Sequence, residues 1–240
     1  MKLEMMYKKL AKYYDLIYSW KDYKEEVRKI KKLIKKYKNT DGKELLDVGC
    51  GTGKHLDYLK DEFSCIGSDI NVEMLEVARE NVKGVIFTEA DMITMNLKKK
   101  FDIILCLFSS IGHVKTYTHL EKTILNFSNH LIKGGVVIIE PWLTKSTYDV
   151  GRPGMTIYNT EDIKIARLNT TKIENDLSIL EMYYLIAERN KDIEYFVEKH
   201  ELGLFEIDKF LEYMIKAGLK AIFLQDGLMK GRGLYVGTKL

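Results

Sequence analysis

A short apolar run ending in three closely spaced glycines constrains this chain more than any other feature: Leu46-Asp47-Val48-Gly49-Cys50-Gly51-Thr52-Gly53. Glycines leaving a buried strand let the backbone turn sharply and let a ligand approach it closely. Taken alone, the run fits the pyrophosphate of NAD, or nothing beyond a tight turn. The residues that follow sharpen it. Asp69 ends the next strand signal, where a carboxylate accepts both hydroxyls of an adenosine ribose. The strand after that leads to Ala90-Asp91-Met92, with Asp91 placed to accept from an adenine amino group and Met92 to pack on the ring. Three successive strand ends each set one polar group over the carboxyl edge of a sheet, the usual ligand crevice of an open α/β sheet. The glycine spacing is not GxGxxG and no hydride-transfer site is evident, which sets a dehydrogenase aside.

The flanking sequence alternates strand and helix signals. An amphipathic helix is expected over about residues 25–37, a buried strand over 44–48 and a helix from about 54. Residues 65–69 read as a strand, and 72–81 as a helix that Asn71 is able to cap. Strands follow at 85–88 and 101–108. A helix over 118–132 is closed by Gly134-Gly135, and a strand covers 136–140. Such alternation predicts parallel strands with crossover helices. The pattern then changes to strand-like runs at 156–158, 163–168, 177–187 and 193–197, with polar turns between them, as in an antiparallel meander. A helix near 206–217 and strands near 221–224 and 234–236 complete it. The expected architecture is a single domain over residues 1–240. It is an α/β sheet with helices on both faces and an antiparallel β insertion at about 144–203, placed on the acceptor side and contributing dimer contacts.

Composition narrows the function. The chain carries 38 basic and 35 acidic side chains, a net charge of +3, too small an imbalance to imply nucleic acid. The lysine run from Lys29 to Lys38 interleaves with Val27, Ile30, Leu33, Ile34 and Tyr37 at helical spacing and reads as a solvated helix face. Cys50, Cys65 and Cys106 are far apart and odd in number, so neither a disulfide framework nor a zinc motif is expected. The histidines lack ligand spacing, and no metal is expected. Lys2, Glu4, Lys8 and Lys9 break the first residues, so no signal peptide or membrane span is expected, and a reducing cytoplasm is the default location.

Asp47-Val48-Gly49-Cys50-Gly51-Thr52-Gly53, Asp69 and Asp91-Met92 resemble the three leading motifs of class I methyltransferases dependent on S-adenosylmethionine (SAM). The resemblance implies a Rossmann-like class I methyltransferase sheet with SAM as cofactor. The glycine loop then faces the methionyl part, Asp69 the ribose and Asp91 the adenine. Asp47, Gly49, Cys50, Gly51, Ile70, Met92 and Leu107 complete the cofactor-binding set. The N-terminal segment is rich in aromatics, among them Tyr7, Tyr13, Tyr18 and Trp20. From it, Tyr14 and Tyr23 are placed to close over SAM, whose sulfonium an aromatic face attracts.

A donor motif says nothing of the acceptor. Tyr14-Asp15, Lys21-Asp22-Tyr23, Phe108-Ser109-Ser110-Ile111-Gly112-His113, Glu140-Pro141-Trp142, His200-Glu201-Leu202 and Gly231-Arg232-Gly233-Leu234 together resemble the N,N-dimethyltransferases of nucleotide-linked deoxyamino sugars, the desosamine and mycaminose type. That resemblance runs nearly end to end. It implies a thymidine diphosphate amino sugar as acceptor and a homodimer. Leu143 and Gly227-Leu228-Met229-Lys230 depart from the family pattern near the acceptor side. Methyl transfer from a sulfonium needs a neutral amine held in line with the departing sulfur. His113 is placed to accept a proton or orient that amine. Arg232 is placed to bind a diphosphate through its planar fork, Trp142 to stack on base or sugar, and Ser109 to contact the acceptor. The alternatives are a methyltransferase of another small metabolite and a non-catalytic SAM-binding protein.

Overall fold

The computed structural model describes residues 11–240, so Tyr7 lies outside it. Residues 11–17 are helical (α1). There follow α2 (Tyr23–Tyr37), β1 (Glu44–Val48), α3 (Lys54–Leu59), β2 (Ser64–Asp69), α4 (Val72–Asn81), β3 (Ile86–Glu89) and β4 (Phe101–Cys106). A 3₁₀ turn (Ser110–Val114) leads to α5 (Tyr117–His130) and β5 (Leu131–Ile139). Four strands come next: β6 (Gly154–Asn159), β7 (Ile163–Glu174), β8 (Leu177–Glu188) and β9 (Glu194–Gly203). α6 (Ile207–Lys216), β10 (Leu219–Leu224) and β11 (Leu234–Lys239) complete the chain.

Seven strands form one sheet in the order β10-β11-β5-β4-β1-β2-β3. β11 runs antiparallel to both of its neighbours; the other pairings are parallel. β4 is buried at every residue, as a central strand covered on both faces must be. Consecutive side chains point to opposite faces, and the core divides accordingly. Leu46, Ile104 and Val137 pack with Phe127, Phe210 and Met214 of α5 and α6 on one side. Leu45, Ile103 and Val136 pack with Ile30, Leu56 and Leu75 of α2, α3 and α4 on the other. Helix starts obey local chemistry: Asp22, Asn71 and Thr116 each accept the backbone N–H three residues on.

β6 to β9 form a separate four-stranded antiparallel sheet. Its inner face buries Ile165, Tyr184, Ile186 and Phe196 against Tyr13 and Ile17 of α1 and Met74 of α4. β9 lies along the 3₁₀ turn, and a Cβ on Gly112 would come within 3.2 Å of Leu202 Cβ. Lys115 pairs with Glu201 across the same seam at 2.9 Å.

Two local expectations are corrected. Gly134-Gly135 does not close a helix: α5 ends at His130, and β5 runs on through both glycines. Between Phe101↔Leu131 and Ile103↔Val136 the register shifts, so the extra residues, glycines included, sit in a bulge. β7 and β9 are also longer than the apolar signals at 163–168 and 193–197. Their polar residues continue the hydrogen-bonded ladder without facing the main core.

Candidate active site

Cofactor-side residues meet at the carboxyl ends of β1, β2 and β3. Gly49 has a φ of +69°, and a Cβ there would lie 2.7 Å from Ser110 Cβ, so only glycine fits this turn. Gly51 also has positive φ, at +53°, and beside it lies open space. Asp69 accepts from the backbone N–H of Gly51 at 2.8 Å and of Asn71 at 2.9 Å. Each carboxylate oxygen has two lone-pair directions, so Asp69 retains capacity for two ligand hydroxyls. Ile70 beside it is 66% exposed, an apolar surface at a strand end. Asp91 Oδ1 accepts from Ile93 N at 2.7 Å and closes the turn after β3, leaving its other oxygen. Met92 packs half-buried against the core.

Asp47 lies behind the glycine turn, fully buried. Its Oδ1 has no hydrogen-bond partner among the described residues. Burial, with the charge of Asp69 nearby, pushes its carboxyl up to about 8. Burial likewise raises the Cys50 thiol well above its usual value. Leu107 is buried in the core; its carbonyl, which accepts from Ser110 Oγ at 2.9 Å, is the part near the turn. Tyr14 and Tyr23 come to the same place. Burial raises both hydroxyls, and Tyr23 and Asp69 are among the groups that bear on Tyr14. An open apolar strand end, a side-chain-free turn and a carboxylate with spare acceptor capacity fit an adenosyl-methionine ligand.

The acceptor-side residues gather at the ends of β4 and β5. Phe108 and Ser109 both have positive φ, 50° and 65°, strained positions of the kind found at functional sites. Ser109 Oγ donates to the Pro141 carbonyl at 2.7 Å and accepts from Arg232 Nη1 at 2.9 Å. It therefore supports Arg232. The Arg232 guanidinium lies 4.6 Å over the Trp142 ring and 5.8 Å from the Phe108 ring. Trp142 is itself fixed by donating to Ser178 Oγ at 2.8 Å. Burial lowers the Arg232 pKa, with Glu140 opposing. His113 keeps an exposed face on the 3₁₀ turn; the packing around its ring, then His200 and Lys115, push its pKa down to about 4.

Several members of this neighbourhood belong to segments that carried the resemblance or the N-terminal aromatic run, without a role of their own being readable from the sequence. Glu140 is fully buried and accepts from Phe108 N at 2.7 Å. Lys21 is buried against Glu26, which also meets His55 at 2.8 Å, and it lies 4.5 Å over the Phe108 ring. Asp15 of α1 accepts from Thr52 Oγ1 at 2.7 Å and pairs with Lys54 at 3.1 Å. Tyr18 accepts from Arg167 of β7 at 2.9 Å. These contacts join segments far apart in the chain, and no spacing rule links them.

A parallel sheet of this strand order, with one reversed strand and a glycine turn backed by carboxylates at β1 and β2, defines a class I methyltransferase. The chain belongs to the methyltransferase domain family, whose match covers residues 19–223. It is a SAM-dependent methyltransferase. It is similar to the dTDP-3-amino-3,4,6-trideoxy-α-D-glucopyranose N,N-dimethyltransferase of Streptomyces venezuelae, with 32% identity over 95% of this chain and 97% of that protein. It is 30% identical to the dTDP-3-amino-3,6-dideoxy-α-D-glucopyranose N,N-dimethyltransferase of Streptomyces fradiae, over 95% of this chain and 90% of that one. The crystal structure of Streptomyces venezuelae DesVI matches with a TM-score of 0.90 and 31% identity over 96% and 98% of the two chains. SAM-bound CalS10, an amino pentose methyltransferase from Micromonospora echinaspora, matches with a TM-score of 0.82 and 28% identity over 92% of each chain.

Proposed function

We propose that this enzyme transfers methyl groups from SAM to the nitrogen of a dTDP-linked deoxyamino sugar. The observation that carries the reading is a guanidinium on an aromatic shelf, Arg232 over Trp142, with His113 on the turn that follows β4. Relatives named for dTDP-amino sugars match it nearly end to end. SAM supplies a methyl group on a cationic sulfur. Gly49 and Gly51 receive its methionyl part, with Asp47 and Cys50 behind them. Asp69 and Ile70 take the ribose side, and Asp91 and Met92 take the adenine. Leu107, the residue after β4, frames the site, and Tyr14 and Tyr23 close it. Arg232 grips the diphosphate, Trp142 stacks on the sugar-nucleotide, Ser109 holds Arg232, and His113 accepts an N–H of the amine. The test is purified enzyme with SAM, dTDP-3-amino-3,6-dideoxyglucose and the corresponding free amino sugar, read by mass spectrometry for added methyl groups. No product from any amino sugar, alongside tight SAM binding, would point to another small metabolite.

His113 makes a pH prediction. Its pKa is pushed down, so it resists protonation and stays neutral above about pH 4. The acid limb of kcat/KM then belongs to the acceptor amine, whose protonated form has no lone pair, and not to a histidine near its ordinary value of about 6.5. His113→Ala should lower kcat about tenfold. That falls short of the roughly 10²–10⁴-fold typical of general acid-base catalysis, because so weak a base mainly orients. A wild-type limb near pH 6.5 that vanishes in the variant would contradict this.

The homodimer and the role of residues 144–203 belong to the same reading. On the outer face of the second sheet, Met155, Leu168, Tyr183 and Val197 lie in one cross-strand row, and Ile157, Ala166, Leu185 and Tyr195 in the next. Most of these are exposed; Ile157 and Tyr195 are each 61% accessible. Apolar surface of this extent favours a partner, and a second copy supplies the matching face. Leu185→Glu should convert a dimer to a 27.9 kDa monomer in sedimentation, and a wild type that sediments as a monomer would exclude the interface. Cys50, Cys65 and Cys106 are free. No helix among the described residues is long and apolar enough to cross a membrane.

A further inference from the structure

β9 carries a polar pair that the reading above leaves without a task. Glu198 and His200 stand on its inner face, two residues apart, opposite Met182 and Leu180 of β8. Glu198 is only 4% exposed. One of its oxygens, Oε2, meets His200 Nε2 at 3.1 Å. The other, Oε1, is buried and has no hydrogen-bond partner among the described residues. The His200 ring centroid lies 6.0 Å from that of His113, so the pair stands beside the residue proposed to meet the reacting amine. On the same inner face, Arg167 Nε is also buried without a partner. Its guanidinium is otherwise engaged by Tyr18 and Thr156.

Buried polar groups are paired in the great majority of cases, so each exception calls for a physical reason. A carboxylate oxygen with no partner is costly where water is excluded. A ligand with a donor at that point removes the cost. His200 turns the geometry to advantage: by donating to Oε2 it fixes the carboxylate plane, so that Oε1 is presented in one direction.

We propose that Glu198, oriented by His200, is a specificity-determining contact that accepts a hydrogen bond from the acceptor at Oε1, from a sugar hydroxyl adjacent to the reacting nitrogen or from the amine itself. The proposal rests on the reading of the acceptor as an amino sugar. A carboxylate at this point selects for a donor and against an acceptor lacking one, because the unmet group remains buried.

The names of the two relatives supply suitable probes, since the trideoxy sugar lacks the 4-hydroxyl of the dideoxy sugar. Wild type, Glu198→Gln, Glu198→Met and His200→Gln are compared with both dTDP-3-amino sugars. SAM affinity by calorimetry and thermal midpoint are measured alongside. Glu198→Met should raise KM for the 4-hydroxy acceptor about tenfold or more, the loss expected when a hydrogen bond to a charged group goes, with little change in kcat. Glu198→Gln, which keeps an acceptor oxygen, should lose less, and His200→Gln should shift KM in the same direction. A penalty confined to the 4-hydroxy sugar identifies the 4-hydroxyl as the donor; an equal penalty on both identifies the 2-hydroxyl or the amine, which the two sugars share. Either result supports the proposal, provided SAM affinity is unchanged. An unaltered KM for both sugars in Glu198→Met and His200→Gln overturns it. So does a loss of SAM affinity and thermal stability in step with KM, which marks a purely structural role. A wild type that binds SAM yet methylates neither sugar overturns the acceptor reading, and the proposal with it.

Discussion

Asp69→Ala is expected to weaken SAM binding at least about a hundredfold. Hydrogen bonds to a charged group contribute about 1.5–3 kcal/mol each, and the proposed ribose contact involves two of them. The substitution also releases two backbone donors, since Asp69 accepts from Gly51 N and Asn71 N. The first of those bonds sets the glycine turn against the end of β2. Asp69→Asn is expected to be nearly as damaging, because both oxygens face backbone N–H groups. Whichever way an asparagine is turned, its amide nitrogen meets a donor. Calorimetry with SAM and with its demethylated product measures the effect. A dissociation constant within threefold of wild type would remove Asp69 from the cofactor site.

Arg232→Ala is expected to raise KM for a dTDP-amino sugar by about tenfold to a hundredfold, the value of one or two charge-assisted hydrogen bonds. SAM affinity should hold, since the contacts of Arg232 are Ser109, Trp142 and Phe108. Arg232→Lys should recover only part of the loss. Lysine keeps the charge but has neither the fork for a diphosphate nor the flat face that lies on Trp142. A free amino sugar tests the role directly, because it has no diphosphate for Arg232 to grip. Free and nucleotide-linked sugars methylated equally well by wild type would exclude it.

The donor half of the site was legible because it is local. Strand, glycine turn and strand-end carboxylates follow one another within about fifty residues, in an order fixed by right-handed crossovers. Gly49, Asp69 and Asp91 are therefore readable one strand at a time. The seven-stranded sheet and the existence of an antiparallel sheet were legible for the same reason, since apolar periodicity marks buried strands. The extents of β7 and β9 were not, because the polar ends of those strands pair by backbone without facing the main core. Glu198 sits in such a stretch, where a hydrophobic pattern gives no signal, and His200 entered only through the resemblance of His200-Glu201-Leu202. The Tyr18–Arg167 bond spans a sequence separation of 149 residues, and only the packing of α1 on the second sheet brings it about. Gly134-Gly135 read as a helix stop because glycine serves helix ends and bulges alike.

The helix at residues 11–17 is fastened on two sides. Asp15 ties it to Thr52 and Lys54 beside the glycine turn, while Tyr13 reaches Glu188 and the following Tyr18 reaches Arg167 on the second sheet. The glycine turn and the second sheet are thus braced by one short segment. A displacement of that segment that breaks the Asp15 contacts also loads those at Glu188 and Arg167, so strain at either sheet is passed to the other through residues 13–18.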